Sequence, residues 1–192
     1  MQQSEKIRFV VYTTIFGILW GAAEMLLGTF LHMVQFPFRG ALMASIGAII
    51  LCLGRTYTPV RGATVCTGIV ALALKMISAG GFKMGPAVGI MIETLLAELV
   101  LSVFGISRLS FTLACMLCAL EGVAHFFITN WLTYGRGIFK AYMQVVTGLQ
   151  KFFGFPDGFW KEVIAFWVIV HFIFGGAAAW VSIKAAKRLR KL

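Results

Sequence analysis

Long blocks of apolar residues follow one another along this chain, and short polar segments separate them. A helix needs about 20 residues to cross a bilayer, and six of the apolar blocks approach or exceed that length. The predicted spans cover residues 9–30, 38–54, 63–80, 85–104, 109–133 and 162–184. Glycine, proline and basic residues interrupt the blocks, for example in "GRTYTPVRG" and "GGFKMGP". We therefore predict an all-α membrane protein, in which residues 1–192 form a single integral membrane domain built as a six-transmembrane-helix bundle.

The connection between the fifth and sixth spans, at about residues 134–161, is the only long one. Apolar positions there are interspersed with Lys140, Gln144 and Lys151 at roughly helical spacing, and the pattern stops near Pro156. Such spacing is typical of an amphipathic helix that lies in the membrane surface. The sequence therefore predicts a surface helix between spans five and six.

The amino-acid composition argues against a soluble domain. Hydrophobic residues make up 60% of the 192 residues and charged residues only 12%, whereas about a quarter of the residues in a soluble domain are charged. The formal net charge of +10 invites a nucleic-acid partner. The basic residues, however, lie in short loops and at the chain ends rather than on one face of a soluble module. Topology and the lipid bilayer explain them better, so no nucleic-acid binding is expected.

The distribution of Lys and Arg predicts the orientation of the chain. With the N-terminus inside, ten of the basic residues in loops and ends fall in the cytoplasm and six fall outside. Basic residues concentrate in cytoplasmic loops, so this orientation is the favoured one. The cytoplasmic set includes the C-terminal cluster Lys184, Lys187, Arg188, Arg190 and Lys191. We predict a multi-pass protein of the cell (cytoplasmic) membrane with both termini in the cytoplasm.

Ionisable and amide side chains inside the predicted spans are the main candidates for function. Ionisable groups in spans usually face a protein interior or a water-filled cavity, where they pair or bind a ligand. The set within the spans is Glu24, Lys75, Glu93, Glu98, Glu121, His125, Asn130 and His171. Most of them fall in the middle or outer half of the membrane. Together with the outer-loop residues His32, Gln35, Arg39 and Lys83, they outline a substrate pocket that opens to the outside.

Helical spacing distinguishes the acids from one another. Glu121 and His125 stand four residues apart, so they share one helix face and can contact each other. Glu93 and Glu98 stand five residues apart, which separates them by about 140° around the helix. Glu93 is therefore the better candidate for substrate, and Glu98 is expected to contact another helix or a partner subunit. A purely structural ion-pair network is the alternative interpretation of the whole set.

Small residues form a stripe on the first span. "TIFGILWGAAEMLLG" places Gly17, Gly21 and Gly28 nearly on one line, with Ala22 and Ala23 beside them. Such a stripe lets another helix approach closely. The second helix belongs either to this chain's own bundle or to a separate subunit, and spacing alone leaves both open.

Enzyme motifs are lacking, and no cofactor or metal is expected. The chain has no G-x-S-x-G elbow, no H-E-x-x-H and no Walker A loop. A metal site from Glu121, His125 and His171 is conceivable, but its spacing is unspecific. The four cysteines lie in apolar segments without zinc spacing, which is typical of buried thiols.

At the level of motifs, the chain resembles the substrate-binding S component of energy-coupling factor (ECF) transporters. The resemblance rests on "WGAAEMLLGTFLH", "PFRGALMASIGAIILCLGR" and "ALKMISAGGFKMGPAVGIMIETLLAEL", on the six predicted spans and on the basic C-terminal tail. It implies a subunit that binds a vitamin or related micronutrient near the outer surface. It also implies two kinds of partner: a membrane coupling subunit and two cytoplasmic ATPases, which would hydrolyse the ATP.

The resemblance also suggests roles for particular residues. Small residues of the first span contact the coupling subunit in that family, which would give Gly17, Gly21 and Ala22 a partner-binding role. The substrate stays open: the acids would suit a cationic or donor-rich ligand such as a thiamine-like pyrimidine, whereas Lys75, Arg39 and Lys83 would suit a carboxylate or phosphate. An integral membrane enzyme acting on lipid and an assembly scaffold are the alternatives from other classes.

Overall fold

The computed structural model describes residues 3–78, 84–135, 138–156 and 158–189, and within these ranges all regular structure is helical. A helix lies in each of the six predicted spans, so the all-α prediction is confirmed. The elements are α1 (Gln3–Ala23), a π-helical turn (Glu24–Gly28), α2 (Thr29–Met33), α3 (Arg39–Tyr57), α4 (Ala63–Ile77), α5 (Met84–Val103), α6 (Arg108–Tyr134), α7 (Ile138–Phe153) and α8 (Trp160–Leu189).

Four helical segments are long and apolar enough to cross a membrane. They are Gln3–Met33, Arg39–Tyr57, Gly85–Val103 and Lys161–Leu189 among the residues described. The apolar helix α4 is shorter, with 15 residues. The fold is therefore compatible with a multi-pass membrane protein, and the full count of six spans stays a prediction.

Glycine sets two of the helix boundaries. Gly62 precedes α4 with φ 86°, and Gly105 lies between α5 and α6 with φ 65°. Residues with a β-carbon rarely adopt this left-handed conformation, so these positions favour glycine and end the helical geometry. The chain consequently reverses direction between neighbouring long helices, as a bundle requires.

Helix α3 occupies the centre of the bundle, where it contacts α1, α4, α5, α6 and α8. Its buried residues are mostly small, which lets neighbouring helices approach closely. Trp20 of α1 fills the space beside Gly47, since a β-carbon there would lie 2.8 Å from the indole ring. The prediction of buried thiols is confirmed for Cys52, Cys115 and Cys118, which are free and belong to this core.

Large apolar side chains also cover the outside of the helices. Ile15, Ile18 and Leu19 of α1 and Leu99 of α5 are each at least 45% exposed. A soluble monomer rarely exposes apolar surface of this extent. Hydrocarbon around the bundle would cover these faces without cost, which agrees with the membrane assignment from composition.

Helix α7 confirms a helix in the long connection between α6 and α8. Val146 and Leu149 are buried on one of its faces, whereas Gln144 and Lys151 are exposed. Leu149 belongs to a second apolar cluster with Phe38, Val163 and Trp167. The helix is thus amphipathic, and it packs its apolar face on the rest of the chain.

The glycine stripe on α1 packs inside this chain's own bundle, which corrects the expected partner face. A β-carbon at Gly17 would lie 2.8 Å from the main-chain oxygen of Thr67, and one at Gly21 would lie 2.7 Å from Leu74. Both neighbours belong to α4, so a separate subunit cannot reach these glycines while α4 is in place. Ala22 is half-buried beside them.

We predict that replacing Gly17 and Gly21 together by Leu lowers the stability of the chain itself. Leu at either site would force α1 and α4 apart, and overpacking costs about 1–3 kcal/mol per site. Thermal unfolding in detergent should therefore occur at a clearly lower temperature. Gly176→Leu is the matched control, because nothing lies within 4 Å of a β-carbon at that exposed position of α8. Unfolding of the double variant at the wild-type temperature would show that this close approach is not needed.

Candidate functional site

Glu24 and Lys75 form a buried ion pair between the π-helical turn that follows α1 and helix α4. Lys75 Nζ lies 3.3 Å from Glu24 Oε2, and both side chains are about one-tenth exposed. The same ammonium donates a hydrogen bond of 2.8 Å to the main-chain oxygen of Glu24. Lys75 is thereby held by two oxygens of one residue, and its charge is largely compensated within the pair.

The carbonyl group that accepts this bond lies at the start of a π-helical turn. A π turn widens the backbone spiral, and such turns occur frequently at functional sites. Glu24 is the first residue of this turn and Gly28 is the last. A β-carbon at Gly28 would lie 3.3 Å from Glu24 Oε2 and 3.5 Å from Lys75 Nζ. Glycine at this position therefore leaves room beside the ion pair.

Glu121 and His125 pair along one face of α6, as their spacing predicts. His125 Nδ1 lies 3.2 Å from Glu121 Oε1, and the carboxylate side chain is only 4% exposed. The imidazole lies against α5, where a β-carbon at Gly89 would be 3.6 Å from His125 Cε1. This contact fixes the register between the antiparallel helices α5 and α6.

That register brings Glu93 level with Glu121. Glu93 follows Gly89 by one turn of α5, and Glu121 precedes His125 by one turn of α6. The Cys118 thiol of α6 also lies 3.5 Å from the Glu93 carbonyl oxygen. The Glu93 carboxyl group is also close enough to Glu24 and Glu121 for the charges of both to act on it.

Glu93 differs from Glu24, Glu98 and Glu121 because no Lys, Arg or His side chain forms an ion pair with it among the described residues. The residue is 7% exposed, and Oε2 has no hydrogen-bond partner among the residues described. Buried polar groups are almost always hydrogen-bonded, so an exception calls for an explanation. The arrangement offers an acceptor, deep in the bundle, for a group that the described protein does not itself supply.

Glu98 shows what a satisfied carboxylate looks like in the same helix. Gly62 N–H donates to it at 2.8 Å and Thr64 N–H at 3.3 Å, and the hydroxyls of Thr64 and Ser102 also donate. Arg55 Nη1 lies 3.2 Å from it. The carboxylate thus caps the positive N-terminus of α4 and ties α3, α4 and α5 together. The expected contact between Glu98 and another helix is confirmed.

His171 is buried on α8, at 2% exposed. Its Nδ1 lies 2.8 Å from the carbonyl oxygen of Trp167, so Nδ1 carries the proton and donates. Its Nε2 faces α6, where a β-carbon at Gly122 would be 3.4 Å away. The ring also packs against Phe38. His171 therefore lies at the border between the apolar cluster and α6.

The residues predicted in the outer loops are not drawn into the buried cluster. His32, Gln35 and Arg39 are all exposed around the turn between α2 and α3. Gln35 adopts φ 52°, a conformation that is uncommon for a residue other than glycine. Lys83 and the side chain of Asn130 lie outside the described residues.

The structure thus brings five of the predicted site residues together and adds features that the sequence did not reveal. The cluster is Glu24, Lys75, Glu93, Glu121 and His125. Neither the π turn nor the gap at Gly28 has a sequence signal beyond the glycine itself. Within the described ranges, no group of three or more His, Cys, Asp or Glu side chains is placed to hold a metal ion. The chemistry on offer is acceptance of hydrogen bonds and compensation of positive charge.

Comparisons with known proteins do not identify a family or a function for this chain. No protein-family model matches the chain, and no curated protein or solved structure is significantly similar to it.

Proposed function

We propose that this chain is the substrate-binding S component of an ECF-type importer for a vitamin or related micronutrient. In this proposal the bundle spans the membrane six times with both termini in the cytoplasm, and substrate enters from the outside. The observation that carries the proposal is the buried Glu93 carboxyl group, whose Oε2 has no hydrogen-bond partner among the described residues. The resemblance of the sequence motifs to S components supplies the transporter class.

The physical reason is the cost of leaving such a group unsatisfied. An unpartnered buried acceptor costs about 1–3 kcal/mol, and more when it is charged. Ionisable groups within membrane spans are accordingly rare and tend to mark substrate or ion pathways. A ligand that donates to Glu93 would recover this free energy on binding. Part of the binding free energy would therefore come from satisfying the Glu93 oxygen that has no partner among the described residues of the ligand-free protein.

The charges of the cluster favour one of the two ligand classes that the sequence left open. Three carboxyl groups face one lysine and one histidine, and Lys75 is already held by one carboxylate oxygen and the main-chain oxygen of Glu24. A carboxylate or phosphate ligand would have to displace this pair. We therefore propose a ligand with a positive charge or several N–H donors, which would bind between Glu93 and Glu121.

Two alternatives fit this geometry less well. A structural ion-pair network would satisfy its members, as the Arg55–Glu98 network does, yet Glu93 Oε2 lacks a partner among the described residues. A membrane enzyme acting on lipid would need reactive groups near the interface, whereas this cluster lies between α1, α4, α5 and α6.

We predict that Glu93→Gln and His125→Ala each weaken ligand binding at least tenfold, equivalent to about 1.4 kcal/mol. The amide in the first variant keeps the size of the Glu93 side chain but cannot compensate a positive charge, and loss of His125 releases Glu121. The measurement is the dissociation constant of the small molecule that copurifies with the chain, after mass spectrometry has identified it. Glu162→Gln, which changes an exposed acid of α8, is the control and should bind normally. Unchanged affinity in both variants would assign the cluster to structure alone.

Association with partners tests the transporter class separately. The tagged chain, purified in mild detergent from its own cells, should carry a membrane coupling subunit and two ATPases. Uptake of the identified ligand should require ATP hydrolysis by those partners, because the chain has no Walker A loop of its own. ATP-independent uptake by the chain alone in vesicles would contradict the ECF assignment but leave the ligand site in place.

A further inference from the structure

A recess lies away from the carboxylate cluster, at the end of the bundle where α8 ends. It is an open groove of about 600 Å³ between α1, α3 and α8. Its lining includes Phe16, Leu53, Tyr57, Trp180, Lys184 and Arg188. Apolar side chains thus form one part of the groove and two basic side chains form the other.

The groove has the layered chemistry of a membrane interface. Tyr57 stacks on Tyr12 of α1 with ring centroids 5.1 Å apart, and the exposed Trp180 of α8 also lines the groove. Tyr and Trp are enriched where hydrocarbon meets headgroups. Lys184 Nζ lies 4.2 Å from the centre of the Trp180 ring. The basic side chains therefore sit at the level that the aromatic rings mark as the headgroup region.

We infer that this groove binds an anionic phospholipid. Lys184 and Arg188 stand one helical turn apart on the same face of α8, so both can contact one phosphate-bearing headgroup. Phe16 and Leu53 offer an apolar wall for the upper part of an acyl chain. None of the described residues that line the groove is acidic, so its charge is complementary to an anionic headgroup. In the proposed topology the groove faces the cytoplasmic leaflet, which is the one rich in anionic lipid.

The chain's own C-terminal end is a poor occupant by comparison. The residues that follow Leu189 are Arg190, Lys191 and Leu192, and the two basic ones carry the same charge as the groove. Like charges repel, so these two side chains are not complementary to Lys184 and Arg188. A lipid phosphate, in contrast, is present in the membrane at high local concentration.

Quenching of Trp180 fluorescence by brominated lipid tests the inference at the site itself. The full chain is placed in vesicles of equal parts phosphatidylglycerol and phosphatidylcholine, and only one of the two lipids is brominated in each sample. The Trp180→Phe protein supplies the signal of the other tryptophans for subtraction. Brominated phosphatidylglycerol should quench Trp180 at least fivefold more effectively than brominated phosphatidylcholine. Near an anionic surface each Lys or Arg contributes about 1 kcal/mol, which corresponds to about that factor.

Two variants decide whether the basic pair is responsible. In the double variant Lys184→Gln, Arg188→Gln, the two brominated lipids should quench Trp180 equally. Lys187→Gln removes a charge from a neighbouring exposed position outside the groove lining, and should keep the preference. Equal quenching in the wild type, or a preference that survives in the double variant, would overturn the inference. Quenching by neither lipid would also overturn it, because a second copy or another protein would then cover the groove.

Discussion

The structure depends on how each buried carboxyl group is compensated for its removal from water. An unpaired charge in hydrocarbon or in a protein core is costly, so each buried acid needs a donor or a positive charge nearby. Glu98 is hydrogen-bonded and paired by three elements of the bundle, and Glu24 and Glu121 form ion pairs with Lys75 and His125. Glu93 sits among them with one oxygen unmet by the described residues. This contrast between the acids is the reason for proposing that Glu93 binds a ligand, whereas Glu98 stabilises the bundle.

The contact between α1 and α4 that holds this cluster together depends on glycines that take no part in its charge interactions. Gly17 and Gly21 let α1 lie directly against α4, and that approach carries Lys75 to Glu24, 51 residues away in sequence. In lipid, close packing of this kind is a main source of attraction between helices. The stripe that looked like a docking face for another subunit therefore contributes to the candidate site by positioning it.

The sequence predicted the helices well because each signal was local. Apolar blocks bounded by glycine and proline define the helices, and the spacing of Glu121 and His125 brings them into contact. The Glu24–Lys75 pair could not be predicted, since it depends on how α1 and α4 pack and on a π turn without a clear sequence signature. The same holds for His32 and Arg39, whose exposure follows from the path of a short loop. The local periodicity of the sequence predicts where each helix lies, whereas the site depends on how the helices pack against one another.

The most direct test compares the stability of two variants in the same helix, without added ligand. Glu98→Gln should lower the unfolding temperature in detergent by several degrees, because it leaves the buried Arg55 uncompensated, and breaking a buried pair costs about 3–5 kcal/mol. Glu93→Gln should leave the unfolding temperature unchanged or raise it, since Oε2 of the carboxyl group it replaces has no hydrogen-bond partner among the described residues. Destabilisation by Glu93→Gln as large as that by Glu98→Gln would contradict the account, because Glu93 would then serve the fold as Glu98 does.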